Sequence, residues 1–71
     1  MTILSKEDKI SIINQHIRNA EYNKYNVQVS LIAENSVQFP NTDIVASLNT
    51  QLSEYDLKLE ALQNEKASLE E

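Results

Sequence analysis

The sequence has no cysteine, no glycine and no tryptophan, and it has one proline in 71 residues. Without cysteine there is no disulfide framework, no thiolate zinc site and no thiol redox chemistry. Without glycine there is no P-loop and no GxGxxG turn, because both need backbone that approaches a phosphate with no side chain in the way. These absences exclude disulfide-stapled scaffolds, thiolate zinc modules and the common nucleotide-binding motifs.

Long apolar runs are missing as well. The longest, such as Leu31-Ile32-Ala33, have three residues, whereas a membrane-spanning helix needs about 20. The chain becomes charged at Lys6 before any apolar stretch of signal-peptide length. We therefore expect a soluble, cytoplasmic protein with no membrane contact.

The length of the chain limits its stability. With 24% charged and 41% hydrophobic residues, the composition is typical of a folded chain rather than a disordered one. A single core of this size supplies only a few kcal/mol, so small chains usually need a staple or a partner. We expect residues 1–71 to form a single domain that associates with another protein.

The single proline divides the chain into two helical segments. Proline disfavours helix at the residue before it, so a helix has to end ahead of Pro40. Asn41 or Thr42 then offers a side-chain oxygen to cap a second helix. Near the start, Ser5 with Asp8 at the third helical position forms an aspartate version of the capping box. The pattern predicts a helix from about 6 to 35, a turn over about 36–41 and a helix from about 42 to 70.

Both segments carry apolar residues at alternating spacings of three and four, which is a heptad seam. In the first segment the seam is Ile10, Ile13, Ile17, Ala20, Lys24, Val27 and Leu31. In the second it is Val45, Leu48, Leu52, Tyr55, Leu59, Leu62, Lys66 and Leu69. Two seams joined by a short turn predict an all-α, coiled-coil-like antiparallel hairpin.

The register of the hairpin follows from folding the chain about the turn. We expect Leu31 to face Val45, Ile17 to face Leu59 and Ile10 to face Lys66. Phe39 should then plug the turn. At the open end, Ile3 and Leu4 should reach Leu69 and cover it.

Two lysines occupy seam positions, Lys24 and Lys66. A lysine in a seam lowers stability but can fix register and oligomeric state. Its long stem can also bury while the ammonium group reaches solvent. For Lys66 we expect a carboxylate, from Glu7 or Asp8, within reach.

A second apolar stripe follows the first segment at spacings of three, four and three. It consists of Tyr22, Tyr25, Val29 and Ile32. At 100° per residue the stripe lies on another side of the helix from the seam, so one partner helix cannot cover both. We expect it to bury against a second copy with two-fold symmetry, giving a four-helix bundle or a larger helical oligomer with a dimer as the simplest case. Tyrosines also suit contacts with a different protein, or with a small ligand held between subunits.

The net charge of −5 belongs to the second segment. Residues 1–39 carry four basic and four acidic side chains, whereas residues 41–71 carry two lysines and seven carboxylates. The candidate acidic face consists of Glu54, Glu60 and Glu65. Two interpretations stay open: a surface for a basic partner, or a solvated outer face on which Glu54 and Lys58 form an ordinary i,i+4 pair. Direct nucleic-acid binding is disfavoured, since few basic residues are available to release counterions.

Catalytic and metal-binding patterns are absent from the sequence. The single histidine, His16, has no Asp, Glu or His three or four residues away, so we expect no metal ligand set there. No Ser/His/Asp combination is evident, and two long helices offer no obvious cleft. We therefore expect no enzymatic activity, no catalytic residues and no cofactor.

The cap over 5–10, the Tyr22–Tyr25 segment and the Phe39-Pro40-Asn41 turn before a leucine heptad resemble small helical-hairpin proteins of tailed phages and suggest a cyanobacterial host. The resemblance covers the whole chain in character and carries no activity to these residues. It implies a phage accessory or virion-associated protein located in the host cytoplasm or the virion.

The sequence thus favours a self-associating helical module for protein–protein interaction. Two alternatives stay open. One is a small acidic inhibitor of a host protein, for example a nucleic-acid mimic. The other is an oligomer that sequesters a small ligand between its subunits.

Overall fold

A computed structural model of the chain describes residues 3–71 and contains two helices, α1 (Lys6–Asn35) and α2 (Thr42–Glu70). The helices pack against each other as an antiparallel hairpin that measures 57 × 19 × 15 Å. Both helices begin and end at the residues that the capping and proline patterns indicated. The predicted all-α hairpin is therefore confirmed.

Side-chain caps begin both helices. The Ser5 hydroxyl oxygen accepts the backbone N–H of Asp8 at 3.1 Å, and the Asp8 carboxylate accepts the backbone N–H of Ser5 at 3.4 Å, so the predicted capping box is present. At α2 the Asn41 side-chain oxygen accepts the N–H groups of Asp43 and Ile44 at 3.0 and 3.2 Å. Asn41 rather than Thr42 is thus the cap, because Thr42 is already the first helical residue.

The turn is closed by a contact between the end of α1 and the start of α2. The backbone N–H of Asn41 donates to the carboxylate of Glu34 at 2.8 Å. Glu34 follows Leu31 by three residues and is half-buried, so it continues the seam of α1 by one position. The hydroxyl of Ser36 donates to the carbonyl oxygen of Ala33 at 2.7 Å and satisfies the end of α1.

The two seams form the interface between the helices. Every residue of both predicted seams is buried or half-buried, and within residues 3–71 only Glu34 and Pro40 join them. Ala20 and Val27, at 8% and 9% exposure, are the two buried members. The remaining seam residues stay half-buried because a lone hairpin has a single interface, which leaves both flanks of each seam in contact with solvent.

Of three expectations about the ends of the hairpin, two are wrong and one is confirmed only in part. Phe39 does not plug the turn, since it is 85% exposed; the Glu34–Asn41 contact already closes the inside of the turn. Ile3 is 84% exposed because it precedes the first turn of α1, whereas Leu4 does line a cavity together with Leu69. Lys66 forms no ion pair with Glu7 or Asp8; within residues 3–71 the salt bridge joins Lys24 and Asp56 instead.

Candidate interaction surfaces

The tyrosine stripe, defined as Tyr22, Tyr25, Val29 and Ile32, lies on the back of α1. These side chains are 71%, 66%, 44% and 68% exposed, respectively. At 100° per residue the centre of the stripe is about 150° from the centre of the seam. The stripe is therefore separate from the hairpin interface and faces away from α2.

A second surface, which we call the flank groove, runs along one side of the hairpin between the helices. Its first part is a cavity of about 450 Å³ near the middle of the molecule. This cavity is lined by His16, Asn19, Ala20, Asn23, Tyr55, Lys58, Ala61 and Leu62. Ala20 and Ala61 have much smaller side chains than their neighbours Tyr55 and Leu62. The space that larger side chains would fill at these two positions stays open and forms the cavity.

The flank groove continues towards the open end of the hairpin. A further cavity of about 300 Å³ is lined by Leu4, Lys9, Ile12, Ile13, Glu65 and Leu69. On each helix the residues of the two cavities follow one another at spacings of three and four, so they lie on one face of each helix. Half of the hairpin's length thus has an open groove on this side.

Lys58 is held at the rim of the flank groove by an aromatic ring. Its ammonium nitrogen lies 5.2 Å from the centre of the Tyr55 ring, within range of a cation–π interaction. The expected i,i+4 ion pair between Glu54 and Lys58 is not formed in the described part of the chain. Tyr55 is a half-buried seam residue whereas Glu54 is exposed, so the contact with the ring draws the lysine inward over apolar surface.

The opposite side of the hairpin carries the ion pair between Lys24 and Asp56. The Lys24 side chain is 30% exposed and that of Asp56 is 60% exposed, so solvent screens the attraction. The pair explains how a lysine is accommodated in the seam of α1: its stem packs between the helices while its charge meets a carboxylate of α2 at the edge. Asp56 is not among the residues predicted from the sequence, although a position directly after the seam residue Tyr55 is where a partner for a seam lysine is expected.

The three residues of the candidate acidic face do not lie on one line along α2. Glu54 and Glu65 share the side that borders the flank groove, whereas Glu60 is roughly 130° away around the helix. All three are exposed. The structure brings Glu65 beside Leu69 and Ile13 in the second cavity, and it does not join the three carboxylates into a compact patch.

His16 is exposed and lines the first cavity, where its neighbours across the groove include Lys58 and Leu62. In residues 3–71 no three side chains of the metal-ligating types come together in a group that could hold a metal ion. Neither helix of the described chain is long and apolar enough to cross a membrane.

Comparisons of this chain with models of protein families, with curated proteins and with solved structures found no match. The surfaces themselves therefore carry the functional argument.

Proposed function

We propose that this protein is a non-enzymatic helical interaction module that self-associates through the tyrosine stripe. The observation that carries the proposal is the exposure of four large apolar or aromatic side chains, in heptad spacing, on the back of α1. Isolated exposed apolar residues are ordinary on protein surfaces, but a contiguous row of them indicates a site of contact with another protein.

The surface area of the hairpin supports association. The chain exposes 5599 Å², whereas a compact monomer of 8.1 kDa exposes about 4,500 Å². The excess of about 1,100 Å² exceeds the roughly 800 Å² that each partner buries in an interface of standard size. One such interface brings the exposed area per chain close to that of a compact protein.

The position of the stripe supports one arrangement of the proposed dimer. Because the stripe lies about 150° from the seam, the two copies of α1 meet back to back and each α2 lies on the outside. An antiparallel pairing about a two-fold axis near Val27 sets Tyr25 against Val29 of the second copy, and Tyr22 against Ile32. The four helices then form a row, which differs from the square packing of an ordinary four-helix bundle.

Light scattering after size exclusion, over a range of concentrations, tests the proposal. We expect the wild-type protein to have twice the mass of the 8.1 kDa chain. The double variant Tyr25→Glu/Val29→Glu should run as a monomer with unchanged helicity, since both side chains point away from α2. The variant should not dimerise because its two glutamates would be buried in the dimer interface without hydrogen-bonding or ionic partners.

The control is Leu57→Glu, which places one of these glutamates at a side chain that is 66% exposed on the outside of α2. This variant should keep the dimer. A wild-type monomer at all concentrations, or a double variant that retains the wild-type mass, would contradict the proposal.

A further inference from the structure

The two cavities of the flank groove are arranged like successive holes for a third helix. On each helix the residues of the first cavity are centred about eight positions from those of the second. At 1.5 Å per residue the cavity centres are therefore about 12 Å apart. Side chains at i and i+7 or i+8 of an α-helix have nearly this separation and point to the same side. A straight groove between two helices with holes at this spacing fits a helix better than it fits a compact small molecule.

The charge of the flank groove differs in sign from the charge of the molecule. Its lining contains two lysines, Lys9 and Lys58, together with His16, and a single carboxylate, that of Glu65. The rest of the chain carries four basic and ten acidic residues. Asn19 and Asn23 add amide donors to the rim of the first cavity. Glu54 borders the groove but is not part of its lining. The lining therefore carries one net positive charge and several amide donors on a protein whose net charge is −5.

We propose that the flank groove binds an amphipathic helix of a partner protein whose polar face is acidic. Two apolar side chains of that helix, at i and i+7 or i+8, would enter the cavity at Ala20 and Ala61 and the cavity at Ile13 and Leu69. Its carboxylates would meet Lys9 and Lys58. The Lys58 ammonium already lies over the Tyr55 ring at the rim, which reduces the side-chain freedom that is lost when an acidic partner arrives.

This inference goes beyond the proposed self-association, because the two surfaces do not overlap. On α1 the residues of the flank groove lie roughly 150° from the tyrosine stripe. A dimer formed through the stripe leaves both grooves open, one on each hairpin. The protein would then join two copies of an acidic partner helix, and two linked sites bind a bivalent partner more tightly than one site does.

A peptide titration tests the groove. The probe is a fluorescein-labelled, end-capped peptide of about 18 residues, with leucine at alternating third and fourth positions and glutamate or alanine elsewhere. The comparison peptide has lysine in place of every glutamate. Fluorescence anisotropy with the wild-type chain should show at least about tenfold tighter binding of the acidic peptide, with the difference shrinking as salt is added.

Filling the first cavity separates docking from simple charge attraction. Ala61 is exposed and lines the cavity, so Ala61→Phe occupies the space meant for the partner's apolar side chain and should weaken binding by about tenfold or more. The matched control is Ala46→Phe, which puts the same ring at an exposed alanine of α2 outside both cavities and should bind like the wild type. Circular dichroism verifies that both variants remain helical.

A charge variant provides a second test that does not depend on packing. Lys58→Glu should lower the affinity for the acidic peptide by about tenfold. Lys6→Glu, at an exposed residue outside the groove, should change that affinity much less. Equal affinity for the two peptides, or full binding by Ala61→Phe, would overturn the proposal.

The self-association test keeps the two proposals apart. The Tyr25→Glu/Val29→Glu variant should become a monomer and still bind the acidic peptide. If instead Ala61→Phe turned a wild-type dimer into a monomer, the groove would be an interface between copies of this chain and the partner-helix proposal would fall.

Discussion

Val27 and Val29 are the same residue type, two positions apart on one helix, and they have opposite surroundings. Val27 is 9% exposed in the seam against α2, whereas Val29 is 44% exposed in the tyrosine stripe. Both belong to rows of apolar residues with the same heptad spacing. The spacing of apolar residues therefore identifies which faces of a helix are suited to burial. Within a single chain α1 has only one neighbouring helix, so only one of its two apolar faces can be buried.

The largest difference in stability should be between a variant with a carboxylate in the seam and a variant with the same carboxylate in the tyrosine stripe. Val27→Asp buries a carboxylate between the helices and should destabilise the hairpin by at least about 3 kcal/mol. Because a chain of this size has only a few kcal/mol of stability, circular dichroism should show loss of most of the helix.

Val29→Asp is the matched variant, and it should leave the helical signal nearly unchanged. A similar loss of helix in both variants would remove the distinction between seam and stripe.

An intermediate effect is expected from the equivalent pair on α2. Leu59 lies half-buried in the seam and Leu57 is 66% exposed on the outside. Leu59→Ala should cost about 2 kcal/mol, at the lower end of the range for buried leucines, since part of the side chain is already in contact with water. Leu57→Ala should cost less than about 0.5 kcal/mol. Urea denaturation measures both, and a loss below about 1 kcal/mol for Leu59→Ala would show that the seam is not the core.

The smallest expected effect on stability concerns Lys24, the lysine that interrupts the apolar seam of α1, and its partner Asp56. A double-mutant cycle of Lys24→Met and Asp56→Asn should give a coupling energy between about 0.2 and 1 kcal/mol, because solvent reaches both charges. The coupling should decrease at high salt. A coupling near zero at low salt would mean that Lys24 is accommodated by its stem alone and that Asp56 contributes nothing to the register.

The hairpin followed from local rules that act within one segment. Ser5 and Asp8 marked one helix start, Pro40 marked the break, and the spacing of the seam residues selected the face that α2 covers. Each of these signals depends on residues at most four positions apart. The seam of α1 nevertheless extends further than its apolar pattern, because Glu34 at the next seam position is polar and serves the turn through Asn41.

The contacts between side chains of the two helices could not be predicted from the sequence. The partner of Lys24 is on α2, and the position of Lys58 depends on whether a ring or a carboxylate attracts it more strongly. Its size and apolar character predict that Phe39 plugs the turn, but the carboxylate of Glu34 already closes the turn and leaves no place for the ring. The flank groove was missed for a similar reason, since a cavity results from side-chain volumes on two helices that only the register brings together.

In the described part of the chain no residue has a positive φ, and this applies to the turn as well as to the helices. Every backbone conformation in residues 3–71 is therefore open to most L-amino acids, and no position depends on glycine for its geometry. The backbone shape of the hairpin therefore does not depend on which residues face outward. Selection can rewrite the back of α1 or the rim of the groove one substitution at a time, so such a protein can change partners in evolution while keeping its fold.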